Sequence, residues 1–101
     1  MARFLNSGSI KTFQQDITVS GTPEQLTSYA VPDGVSVVVK AKNANTGTIT
    51  LGGSSAQALN SGTSYFPLTS GQSASYQVTD TDKIWFDGTV TGEGVEVTLE
   101  Y

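Results

Sequence analysis

The chain has 101 residues, no cysteine, no histidine, and a formal net charge of −4 from five basic and nine acidic side chains. This length holds one domain with a modest core, and the missing residue types exclude disulfides, thiolate metal sites and histidine-based catalysis. No cluster of Lys and Arg suits a phosphate backbone, so no direct nucleic-acid binding is expected; no apolar run is long enough to span a membrane.

Residues 1–9 read as an N-terminal arm. They lack the apolar stretch of a secretion signal, which points to synthesis in a cytoplasm. Residues 10–101 read as a single β-sandwich domain. Ile10 to Val19 is expected to be a strand with Phe13, Ile17 and Val19 on one parity, ended by the turn Ser20-Gly21-Thr22-Pro23. Glu24 to Val31 reads as a second strand, with Leu26, Ser28 and Ala30 on one face. Pro32-Asp33-Gly34 is a turn, since proline presets φ and glycine accepts positive φ.

Val35, Val37, Val39 and Ala41 then alternate with Ser36, Val38, Lys40 and Lys42, the period of a half-buried strand. Asn43 to Gly47 is expected to be a hairpin connection, with Gly47 in the left-handed region, and Thr48 to Leu51 the returning strand. Gly52 to Gly62 is a polar connection. Ser64 to Leu68 is a short strand in which Pro67 cannot donate to a ladder, so it belongs at a sheet edge. Ser70-Gly71-Gln72 is a turn.

Ala74, Tyr76 and Val78 mark the next strand, Asp80-Thr81-Asp82 a turn, Ile84-Trp85-Phe86 a short apolar strand, and Asp87 to Gly94 a glycine-punctuated connection. Val95, Val97 and Leu99 alternate with Glu96, Thr98 and Glu100 in the last strand. About eight short antiparallel strands with turn signals every 8–12 residues are the pattern of a sandwich or small barrel, and the fold expected is an all-β, jelly-roll-like antiparallel sandwich. Its expected core is Phe13, Ile17, Val19, Leu26, Val35, Val37, Val39, Ile49 or Leu51, Phe66, Leu68, Tyr76, Val78, Ile84, Phe86, Val95, Val97 and Leu99.

The residues supply no constellation for catalysis. Serines abound, but a serine nucleophile needs a positioned base, and no Ser-x-x-Lys pattern occurs. Asp80, Asp82 and Asp87 offer hard oxygen ligands for Ca²⁺; they equally suit turn caps. The glycines 88, 92 and 94 do not have dinucleotide-loop spacing and precede a strand. No catalytic, cofactor-binding or metal-ligating residue is therefore assigned, and an enzyme is not expected.

Candidate contact residues remain. Trp85 points away from Ile84 and Phe86, so if those face the core it faces a partner, a sugar or a second layer. Tyr65 and Tyr29, with Trp85, are candidate exposed platforms for stacking a sugar. Arg3, Phe4 and Leu5 put an apolar pair on the arm, which suits either a free terminus or addition to a neighbouring subunit's sheet edge.

The chain resembles small virion structural proteins of tailed bacteriophages. The resemblance rests on Val31 to Gly34, Val35 to Ala41, Asn45-Thr46-Gly47, Ile49 to Gly53, Phe66-Pro67-Leu68, Gly71-Gln72, Ile84-Trp85-Phe86 and Gly92-Glu93-Gly94-Val95. It implies a capsid cement or decoration protein, located in the virion and made in the host cytoplasm. Such a protein binds the major capsid protein or other virion proteins without a cofactor, as a homo-oligomer with a trimer favoured. The alternative is a tail, baseplate or fibre component with a carbohydrate- or host-binding sandwich.

Overall fold

The computed structural model describes residues 9–59 and 66–100. Among the described residues eight strands form two sheets: β1 (Ile10–Asp16), β2 (Glu24–Gln25), β3 (Val37–Ala41), β4 (Ile49–Gly52), β5 (Phe66–Leu68), β6 (Ser73–Tyr76), β7 (Trp85–Gly88) and β8 (Gly94–Glu100). The first sheet has the order β1-β8-β3-β6 and the second β2-β7-β4-β5. Every pairing is antiparallel. The pairs β1·β8, β2·β7, β3·β6 and β4·β5 are those of a long hairpin wrapped around a core, the jelly roll. The expected all-β antiparallel sandwich is thus the observed fold.

Alternation decides which residues enter the core. In β3, Val37, Val39 and Ala41 are fully buried while Val38 and Lys40 are half-exposed on the outer face. In β8, Val95, Val97 and Leu99 are buried and Val97 sits opposite both Phe13 and Val39. From the second sheet come Ile49, Leu51, Leu68 and Phe86, closed by Ile17, Leu26, Val31, Val35 and Ile84. Each such aliphatic side chain contributes about 1.5–3 kcal/mol by leaving water. Gly88 faces inward, where a β-carbon would strike the ends of Ile17 and Ile49.

Several expectations are corrected. β1 ends at Asp16, so Val19 lies in the following turn and is 54% exposed. Phe66 has core parity but sits at the rim of edge strand β5 and is 52% exposed. Phe13, Tyr76 and Val78 are only partly buried against the core. The segment 24–31 pairs as a strand only at Glu24–Gln25, with one isolated bridge from Ala30 to Asp80; Ser28 and Ala30 are exposed, unlike Leu26.

Asn43 to Gly47 is not a hairpin. It carries the chain from β3 in one sheet to β4 in the other, and Gly47 is absent from the positive-φ glycines, which are Gly21, Gly34, Gly71 and Gly92. The connection after β4 contains a short helix, α1 (Ser55–Ala58), capped by the Ser54 hydroxyl accepting from the Gln57 N–H at 3.3 Å. The Pro32-Asp33-Gly34 turn is as expected, with Gly34 at φ 78° and the Val35 N–H donating to Pro32 O at 3.1 Å. The edge position of Pro67 is also as expected.

Candidate functional site

The up-and-down course of successive strands, with every pairing antiparallel, puts the β1–β2, β3–β4, β5–β6 and β7–β8 loops at one end of the sandwich. They are joined to one another. Asn45, buried, donates from Nδ2 to Gly94 O at 2.9 Å and accepts the Gly94 N–H at 3.3 Å. The Glu93 carboxylate accepts the main-chain N–H of Thr46 at 2.7 Å, the Thr46 hydroxyl at 2.8 Å and the Gly47 N–H at 2.9 Å. Those main-chain N–H groups stabilise the ionised form and hold the Glu93 carboxyl below its ordinary range.

Neither glycine of this clasp has room for a side chain. A β-carbon on Gly47 would collide with Thr89 and Val90, and one on Gly94 with the Gln15 carbonyl and Asp16. Thr48 and Thr89 bond reciprocally, Thr48 N–H to Thr89 Oγ1 at 3.0 Å and Thr89 N–H to Thr48 O at 3.1 Å. On the far side of the clasp, Gly92 N–H donates to Ile17 O at 2.9 Å and Ser20 N–H to Thr91 Oγ1 at 3.0 Å. The Ser70 hydroxyl donates to Asn43 O at 2.6 Å, attaching the β5–β6 loop.

The opposite end is tied by Asp80. Its carboxylate accepts from the Asp82 N–H at 3.0 Å, capping the 3-10 turn Thr81–Lys83, and from the Ser28 hydroxyl at 2.8 Å. The Asp82 N–H is the main reason that the Asp80 carboxyl is also held below its usual range. Asp87 is fully buried on the outer face of the second sheet and accepts from the Gly21 N–H at 3.0 Å and the Gly88 N–H at 2.7 Å. Asp80 and Asp82 therefore share one turn while Asp87 serves another part of the fold, and among the described residues no group of three acidic, His or Cys residues is placed to hold a metal ion.

Trp85 is half-buried, and its neighbours Ile84 and Phe86 are in the core, as the alternation requires. It lies across from Gln25 and Gly52 on the outer face of the second sheet. Helix α1 packs on that same face: the Thr50 hydroxyl donates to Ala58 O, and a β-carbon on Gly52 would meet Gln57 and Ala58. Arg3, Phe4, Leu5 and Tyr65 lie outside the described residues.

The outer face of the first sheet forms a shallow depression of about 520 Å³. Register places Thr12, Thr98 and Val38 in one row and Gln14, Glu96, Lys40 and Ser73 in the next. None of these outward side chains is aromatic, so the depression lacks a platform for stacking a sugar ring. Its Lys40–Glu96 pair is long, at 3.8 Å, and exposed pairs of this kind contribute little. A second cleft of about 320 Å³ opens between Phe66, Tyr76, Val78 and Ile84, with Lys83 and Gln57 at its lining. Burial there raises the pKa of the Tyr76 hydroxyl.

Sequence reasoning missed the roles of Asn45 and Glu93. The available signal was two short polar, glycine-flanked triplets, and nothing in local sequence says that they meet. No helix among the described residues is long and apolar enough to cross a membrane. No protein-family model, curated protein or solved structure matches the chain.

Proposed function

We propose that the chain is a structural protein of a tailed-bacteriophage virion, a capsid cement or decoration protein that stabilises the shell through non-covalent contacts of an oligomer, with a trimer favoured. The observation that carries this reading is the clasp. Asn45-Thr46-Gly47 and Gly92-Glu93-Gly94 were separate parts of the resemblance, and they form one hydrogen-bonded unit. Two unrelated coincidences of sequence have no reason to meet in space, so their contact supports a resemblance of scaffold. A chain without histidine or cysteine and with its polar residues committed to tying loops suits binding better than catalysis.

In this reading the major capsid protein or another virion protein is the partner, and the arm with Arg3, Phe4 and Leu5 adds main-chain contacts to a neighbour. Many copies of a modest interface suffice to stiffen a shell. The test is position and copy number in intact particles, together with binding of purified protein to expanded shells that lack it. Hundreds of copies distributed over the shell are expected. A handful at one vertex would move the protein to the tail, baseplate or a fibre. A monomer that does not bind shells would overturn the reading. Deleting residues 1–9 is expected to leave the domain folded and to weaken assembly; an unfolded product would refute the arm's role.

A further inference from the structure

We infer that the end of the sandwich carrying the clasp is a docking surface for an uncharged, aliphatic protein surface; this rests on the reading above, under which that surface repeats over the virion shell. Three observations meet here.

The first is charge. Residues 17–23, 43–48, 69–72 and 88–92 contain no Asp, Glu, Lys or Arg, although the chain carries fourteen such residues. The charged groups that flank these loops are engaged. Lys42 pairs with Asp16 at 2.6 Å, Glu24 accepts the Thr18 N–H at 2.7 Å, and Glu93 is held in the clasp. The other end of the sandwich, by contrast, carries Asp33, Asp80, Asp82 and Lys83. The tips of these loops thus carry no charged side chain, and the charged groups at their feet are bonded within the fold. Interface cores are depleted of charge in the same way, and an end whose one cation, Lys42, is paired with Asp16 offers little to nucleic acid or an anionic membrane.

The second is exposed apolar surface. Val19 is 54% and Val90 38% exposed, and both project from loops of this end. They are flanked in sequence by Thr22, Thr89 and Thr91; the Thr89 and Thr91 hydroxyl oxygens accept main-chain N–H groups, and their O–H groups suit main-chain carbonyls of a partner.

The third is rigidity. The four loops are bonded to one another as described, so docking would order little chain and lose little entropy. Loops locked in this manner present a fixed shape.

Area distinguishes a repeating partner from a second copy of the same end. Four strands span about 19 Å and two layers with side chains about 20 Å, so the end offers on the order of 400 Å². A stable pairwise complex needs about 800 Å² on each side. One end-to-end contact is too small to hold a dimer, whereas a lattice multiplies it and adds the contacts of neighbouring subunits.

The test uses the full chain and shells lacking it. Wild type is expected to bind with affinity changing by less than about twofold between low and high salt, because the loop tips carry no charged side chain and the flanking charges are paired. The double variant Val19→Asp/Val90→Asp should lose binding at least about tenfold, since docking would strand two carboxylates without partners. Asp33→Lys at the far end should bind as wild type. The melting curve of Asp33→Lys should match wild type; because Val90 also packs against Gly47, Val19→Asp alone, at the more exposed position, is measured beside the double variant and should melt as wild type and still bind more weakly.

The native chain has no cysteine, so Thr91→Cys can be labelled uniquely, and a bulky label there should block binding while one on Asp33→Cys should not. Full binding by the valine variant or the Thr91 label, or strong weakening by salt, overturns the surface and leaves the decoration reading standing. Failure of wild type to bind shells overturns both.

Discussion

The carboxylate of Glu93 accepts the main-chain N–H of Gly47 at 2.9 Å across 46 residues of chain. With Thr46 as its second partner it fastens the β3–β4 crossing to the β7–β8 loop, joining two connections that belong to different sheets at their outset. Glu93→Ala is expected to lower the melting temperature and to increase hydrogen exchange at Thr46 and Gly47. Glu93→Gln should do nearly as much, because its NH₂ would face one of the two N–H donors. Unchanged exchange at both amides would show that the clasp is not held by this carboxylate.

Gly94 and Gly92 separate two reasons for glycine. Gly94 lies opposite Asp16 in the β1·β8 ladder, where a β-carbon would meet the Gln15 carbonyl. Gly92 has φ 89° and open space around it. Gly94→Ala must displace main chain, which by overpacking costs about 1–3 kcal/mol or more. Gly92→Ala meets only left-handed strain of about 1–2 kcal/mol. Urea midpoints should rank Gly94→Ala as the more damaging. The reverse order would place the strain of this loop in its dihedral angles and not in its packing.

Acid should weaken the fold through Asp80 and Glu93. Both carboxyls have a folded-state pKa below the unfolded value, because N–H groups bind the ionised form. Each contributes stability that is present above the unfolded pKa and is lost as pH falls through the folded one. Stability should therefore hold near neutrality and decline below the ordinary carboxylate range. In Asp80→Asn/Glu93→Gln the acid decline should be shallower. Tyr76 acts at the other extreme: its raised pKa adds stability that is lost as pH rises past the ordinary tyrosine range. Parallel acid limbs in wild type and the double variant would reject this assignment.

Phe86 is fully buried at the centre of the second sheet, opposite Glu24 on one side and Leu51 on the other. Phe86→Ala should cost about 3–5 kcal/mol, a large part of the roughly 5–15 kcal/mol that holds a domain of this kind. The single tryptophan, Trp85, is its half-buried neighbour and reports the loss as an earlier red shift of emission on heating. A variant as stable as wild type would mean that the core refills the space.

The strand pattern was readable because alternation is a local property. Val35, Val37, Val39 and Ala41 lie on one side of an extended chain whatever the rest does, and all are buried. The same logic turned Trp85 away from Ile84 and Phe86. Local patterns failed where exposure depends on what lies above a residue. Val19 has the parity of Ile17 yet leaves the sheet with the turn, and Phe66 points inward at a rim that no strand covers. The Asn45-Thr46-Gly47 triplet has hairpin chemistry, and that chemistry is equally suited to a crossing held by a distant carboxylate.

By itself, then, the sequence determined the class of the fold, its number of strands, the inward residues of the regularly alternating ones such as 37–41 and 95–99, and the absence of histidine and cysteine side chains. Those follow from side-chain type and a period of two. Only the tertiary structure decided which strands share a sheet, that Glu93 closes the β3–β4 crossing, and that four loops with uncharged tips gather at one end. The physical reason is range. Side-chain parity is set by neighbours one or two residues away, whereas a strand's partner, a loop's neighbours and the exposure of a valine are set by contacts between segments tens of residues apart.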